Sequence, residues 1–154
     1  MTAGNKEDQE LKNVSIRRLK PADGHDIGEI YAAITQGPIE ADFKRIVEDQ
    51  AGKPEDASFV AEYEGRVVGY MISSILTGIF GIKKSAWIAM MGVHPKFMGQ
   101  GIGEKLAQEL FRFARGQGLG DVYTSVRWDS TDLLSFCKTI GFDRSNFINL
   151  IRRL

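Results

Sequence analysis

The chain has almost no cysteine, no net charge and no long apolar run, and each absence excludes something. One cysteine, Cys137, stands in 154 residues. No internal disulfide can form, and a lone thiol fits a reducing cytoplasm. Lys plus Arg number 20 and Asp plus Glu number 20, a net charge of zero. That balance leaves no electrostatic footprint for nucleic acid or an anionic membrane surface. The most apolar stretch, residues 67–82, is broken by Ser73, Ser74, Thr77 and three glycines. It falls short of the ~20 residues that span a bilayer, and its Val, Ile and Tyr content suits strands. No membrane partner is expected, and no metal. There is no internal repeat, low-complexity tract or interdomain linker. Residues 1–13 are polar and charged, unlike a signal peptide. They read as a flexible leader, with 14–154 as a single cytoplasmic domain.

What is present is an ordinary globular pattern, 43% apolar. Alternation over residues 14–19 predicts a first strand. Helical spacing predicts helices over 26–34 and 40–50, separated by Gln36-Gly37-Pro38. Residues 58–63 and 66–76 read as a hairpin about Glu64-Gly65. Residues 77–84 form an apolar, Gly-rich loop. Residues 86–93 lack alternation and suit a central strand buried on both faces. The strongest helix signal runs over 103–117, with Leu106, Leu110 and Phe113 on one face. A strand over 121–127, a helix over 131–140 capped by Asp129-Ser130, and a last strand over 147–151 complete the chain. The order β-α-α-β-β-β-α-β-α-β implies an α/β sheet with helices on both faces.

The most specific signal is the run from Val93 to Gly103, Val-His-Pro-Lys-Phe-Met-Gly-Gln-Gly-Ile-Gly. Three glycines in five residues open a helix. They permit positive φ and close approach of a ligand to the backbone. The first turn of a helix carries unpaired N–H groups and partial positive charge. Such a turn binds anions, phosphates above all. The spacing is not a dinucleotide fingerprint, because Glu104 stands where a third spaced glycine is needed. Nor is it a P-loop, because no Gly-Lys-Ser/Thr follows. A ligand-free strand-to-helix turn is the plain alternative.

The run closely resembles motif A of the GCN5-related N-acetyltransferase (GNAT) superfamily, which reads Val-x-Pro and then Gln/Arg-x-x-Gly-x-Gly/Ala. Ile16-Arg17-Arg18-Leu19 followed by Asp26 is similar to that family's opening. Phe136 through Gly141-Phe142 resembles its closing Phe-Tyr-x-x-x-Gly-Phe. The resemblance covers residues 14–154 and implies a mixed, mostly antiparallel central sheet flanked by helices. It implies acetyl-CoA as co-substrate and direct transfer of the acetyl group to a primary amine, on a small molecule or a protein. The pyrophosphate would lie on Met98, Gly99, Gln100, Gly101, Ile102 and Gly103. The pantetheine arm would pair with Met91, Gly92 and Val93, where the strand parts from its neighbour. Ser130 and Phe136 would complete the cofactor site.

Two positions depart from the family pattern. Met98 replaces the Gln/Arg of the phosphate loop, although the backbone donors remain. Cys137 occupies the place of the tyrosine that commonly serves as general acid. A thiol of pKa ~8.5 has the basicity needed to protonate a thiolate, while the plainer role is a small buried helix residue. Tyr123 and Tyr70 are alternative acids. Asp129, Asp132, His94 or a water chain are alternative bases. The resemblance places the acceptor between residues 35–39 and the loop after 66–76. Glu40 and Asp42 there suit either a cationic amine or the first turn of a helix. Two other functions remain open: an acyl-CoA sensor that has lost its acid, and an unrelated nucleotide-binding domain. The family often has a pair of strands after the Gly-Phe, and here there is room for about one. Residues 147–151 would then be an exposed edge, and a homodimer is expected to cover it.

Overall fold

A computed structural model of the chain describes residues 13–38 and 41–154. The predicted leader, apart from its last residue, and Glu40 therefore lie outside the described residues. Among the described residues, five strands form one sheet in the order β1-β2-β3-β4-β5: β1 Ser15–Arg18, β2 Phe59–Tyr63, β3 Arg66–Leu76, β4 Ser85–Val93 and β5 Val122–Thr124. The first three pairings are antiparallel and β4 pairs parallel with β5. Helices α1 Gly24–Thr35 and α2 Ala41–Gln50 cover one face, and α3 Ile102–Gly116 covers the other. Helix α4 Thr131–Thr139 packs beside the start of α3. The sheet is mixed and mostly antiparallel, as expected. No helix among the described residues is long and apolar enough to cross a membrane.

Two apolar clusters show why the strands are apolar on both sides. Ile27, Ile30, Phe43 and Val47 pack on Val60, Tyr70 and Ile72. Ile102, Leu106 and Leu110 pack on Phe59, Met71 and Ile88 from the opposite side. Gly69 permits the close approach of α3, since a Cβ there would lie 2.9 Å from Ile102 Cγ2. The predicted hairpin forms, with Glu64 and Gly65 both at positive φ.

The first helix starts at Gly24 rather than residue 26, because a short 3-10 turn over Pro21–Asp23 leads into it. Asp23 holds that corner. Its carboxylate accepts from the Lys20 N–H at 2.8 Å and pairs with Arg17 at 2.8 and 2.9 Å. Arg17 also donates to Glu62 at 2.7 Å, tying β1, the turn and β2 together.

Three expectations need correction. The strand predicted over 121–127 lasts only three residues, Val122–Thr124, because β4 changes register beside it. The strand predicted over 147–151 forms no ladder among the described residues. Asp129 does not cap α4: Ser130 is the N-cap and makes no side-chain capping bond. The Asp129 carboxylate is instead held by Arg127 at 2.8 and 2.9 Å.

Candidate active site

The site is made by a local failure of pairing. On β3, Ile72 faces Met90 and Ser73 faces Ile88, so Ala89 is an extra residue, a β-bulge in β4. Before the bulge, Ala86 N–H donates to Asp121 O and Ile88 O accepts from Thr124 Oγ1, so the even-numbered residues face β5. After it, His94 N–H turns the other way, to Val68 O on β3. Alternation along the strand then points the N–H and C=O of Met91 and Val93 away from β3. The β4–β5 ladder ends at Ile88 and Thr124, so these groups face a gap. The parting expected near Gly92 and Pro95 begins earlier, at the bulge.

Beyond β4 the chain makes a 3-10 turn over Pro95–Phe97 and enters α3 through the glycines. Gly99 and Gly101 both have φ +77°. Among the described residues, no acceptor meets the N–H groups of Gly99, Gln100 or Gly101. Gly101 is the N-cap of α3 without a side-chain cap, which leaves the first-turn N–H groups open as well. The space around Gly99 is clear: a Cβ there would have no neighbouring atom within 4 Å. Gln100 Oε1 is buried without a partner in the same turn. Glycines with open approach and unpaired main-chain donors fit a pyrophosphate-bearing ligand, whereas the Gln100 amide oxygen, an acceptor, adds nothing to the hold on an anion. Phe136 packs on this turn: a Cβ at Gly103 would lie 3.1 Å from Phe136 Cζ. Met91, Gly92, Val93, residues 98–103 and Phe136 are thus brought into one region. Ser130 stands at the start of α4.

The candidate proton-transfer groups are more scattered. Cys137 is buried at 4% exposure, and burial pushes its thiol pKa up. Tyr123 stacks on Trp87 with ring centroids 4.6 Å apart. Asp129 is at the surface, and its bond to Arg127 holds its carboxyl below the usual value. His94 Nδ1 accepts from Lys96 N–H at 3.1 Å, a turn-forming role. The cavity at the gap is lined instead by Tyr31, Tyr70, Met90, Met91, Thr124 and Ser125, among others. Most of these carry no functional signal in the sequence. The bulge that exposes them is a matter of register, which no local residue pattern announces.

A sheet opened between parallel strands, beside a turn of open main-chain donors, is a geometry suited to an elongated, phosphate-bearing ligand. Comparison with known proteins gives the particular kind. The profile of the Acetyltransferase (GNAT) family matches residues 24–142. The N-alpha-acetyltransferase RimI of Mycobacterium tuberculosis is 32% identical over 128 residues, covering 77% of this chain and 78% of that protein. The mycothiol acetyltransferase of Amycolatopsis mediterranei is 29% identical over 112 residues, 71% of this chain; the match spans only 37% of that protein. Among solved structures, AAC(6')-Iy in complex with a CoA bisubstrate analog superposes with TM-score 0.78 at 16% identity. That match covers 92% of this chain and 99% of the other. The chain belongs to the acetyltransferase (GNAT) family. It is an N-acetyltransferase with acetyl-CoA as co-substrate, and no finding favours the sensor alternative.

Proposed function

We propose that the chain transfers the acetyl group of acetyl-CoA directly to a primary amine in the gap between β4 and β5. The observation that carries this reading is that the strand whose groups face the gap, β4, leads through one short turn into the glycines with open N–H groups. The turn offers main-chain donors for a pyrophosphate, and the strand before it offers free groups for an amide-bearing arm.

The co-substrate supplies a thioester carbon open to attack. The N–H groups of Gly99, Gln100, Gly101, Ile102 and Gly103 would hold the pyrophosphate, with Met98 beside them. Met91 and Val93 would pair with the arm's amides, and an N–H near Met91 or Gly92 would hold the developing oxyanion. Losing one such donor typically costs about 10²–10³ in turnover. Ser130 and Phe136 would close the site from α4. In the reaction a C–N bond forms, the C–S bond breaks, one proton leaves nitrogen and one reaches sulfur. Cys137, at the family's tyrosine position, is our first choice for the proton to sulfur, although burial pushes its thiol pKa up and makes it a weaker acid than a free thiol. Tyr123 is the second. Asp129, ionised and at the surface, would receive the nitrogen's proton through water.

The acceptor is an amine of a small molecule or a protein. RimI is named as an N-alpha-acetyltransferase and AAC(6')-Iy as an aminoglycoside N-acetyltransferase, so both kinds occur among relatives. We take residues 14–154 as the catalytic unit, residues 1–13 as a leader, and the protein as cytoplasmic, its one free thiol supporting that compartment. A homodimer is supported by apolar residues exposed beyond α4, Phe147, Ile148, Leu150 and Ile151. Coupling thiol release to an amine panel tests the function. Acetyl-CoA consumption only when an amine is present supports it, and acetyl-CoA binding with no turnover on any amine would revive a sensor.

A further inference from the structure

On the α1 face of the sheet, the β4–β5 gap widens into a cavity of about 260 Å³. This is below the ~300–1,000 Å³ of pockets that take drug-sized ligands. Tyr31 and Ile34 of α1, Tyr70 of β3, Met90 of β4 and Leu133 of α4 form its walls, with Ser125 at the parting of the strands. Among the described residues, no Asp, Glu, Lys, Arg or His side chain lines it.

Tyr70 is the unusual member. It is 2% exposed, and its ring is fixed by an edge contact to Phe43, which stacks on Tyr31. Its hydroxyl lies over Gly92: a Cβ there would sit 2.9 Å from Tyr70 Oη and 2.9 Å from Ile34 Cδ1. Buried phenols normally find a hydrogen-bond partner. Among the described residues the Tyr70 hydroxyl makes no hydrogen bond, and it stands at the wall of the cavity, open to it rather than sealed in the core. An unpaired hydroxyl fixed by packing, in a chamber without a charged side chain beside the reacting strand, marks a place for a ligand's polar atom.

We propose that this cavity seats the acceptor, a primary monoamine on a compact apolar body, and that the Tyr70 hydroxyl accepts a hydrogen bond from its nitrogen. The proposal rests on the acetyl-transfer reading above and narrows its acceptor. The apolar body packs on Tyr31, Ile34, Met90 and Leu133. A second cationic centre on the acceptor would meet no counter-charge on these walls, and burying an unpaired charge is costly. The same walls favour the neutral, nucleophilic form of the attacking amine. Burial raises the Tyr70 pKa to about 12, so the phenol remains neutral there: it orients the amine and takes no proton from it. The chemistry fits a free alkyl or arylalkyl amine and the α-amine of a peptide with an apolar first residue.

The test uses the full chain at saturating acetyl-CoA. Acceptors are 2-phenylethylamine, isopentylamine, a tripeptide beginning with leucine, and the polycations spermidine and neamine. The expected result is a kcat/KM at least about tenfold higher for one or more of the monoamines than for either polycation. Turnover of the free amines or of the peptide identifies the source. Tyr70→Phe, which keeps the ring, is expected to lower monoamine kcat/KM about tenfold, with acetyl-CoA affinity and thermal midpoint held. Preference for a polycation, no monoamine turnover despite acetyl-CoA binding, or a fully active Tyr70→Phe protein overturns the proposal and leaves the acetyl-transfer reading standing. Absence of acetyl-CoA binding by calorimetry overturns both.

Discussion

Gly92 is where backbone economy and chemistry meet most tightly. Its missing side chain admits both Tyr70 and Ile34 against β4. In Gly92→Ala the new methyl must displace the Tyr70 hydroxyl, and small displacements at a reacting centre are costly, so amine turnover should fall about tenfold or more. Steady-state kinetics checks this, with acetyl-CoA affinity as the control for a wider collapse. Cys137 makes a different prediction. Burial holds its thiol pKa above the ordinary value, so the folded protein keeps a proton that the unfolded chain loses above pH ~8.5. The unfolded state then binds fewer protons than the native state, and stability falls as pH rises through that range. Urea midpoints from pH 7 to 10 should fall more steeply for the parent than for Cys137→Ala. If the thiol delivers the proton to sulfur, the same variant should also lose more than about tenfold in turnover; unchanged turnover removes Cys137 from the chemistry.

The corner joining β1 to α1 depends on Asp23, a buried carboxylate bonded to the Arg17 guanidinium and the Lys20 N–H. Asp23→Ala leaves Arg17 half-buried with Glu62 as its one carboxylate and the Arg18 carbonyl as its other acceptor, and should cost about 3 kcal/mol, read as a lower urea midpoint at unchanged slope. Most elements are legible in the sequence because their signals are local. Gly-Gln-Gly-Ile-Gly before an amphipathic run gives α3 and its donor turn, and Glu64-Gly65 between alternating runs gives the β2–β3 hairpin. The bulge at Ala89 is not legible, because two-against-one pairing exists only once β3 and β4 are in register. The early end of β5 follows from that bulge and is hidden for the same reason. Residues 147–151 have strand composition, but composition supplies no partner, and no ladder forms among the described residues. In the site, the phosphate turn can be read residue by residue. Tyr70 and Met90 look like core residues until the sheet opens beside them.

At the scale of the whole molecule, one sheet works as both core and binding groove. Its α3 face is packed through Gly69, Ile102 and Leu106, while its α1 face stays open where β5 departs. The apolar residues past α4 stand outside either packed layer. Covering them with a second copy would remove that surface from water, and light scattering after size exclusion should return twice the 17.1 kDa chain mass; a monomer at micromolar concentration refutes the dimer. Acetyl transfer by this chain requires that the donor turn hold the co-substrate. Titration calorimetry with acetyl-CoA, on the parent and on a Gly99→Ala/Gly101→Ala double variant, tests it most directly. Saturable 1:1 binding by the parent and its loss in the variant is the result expected. No binding by the parent, or equal binding by both, would contradict it.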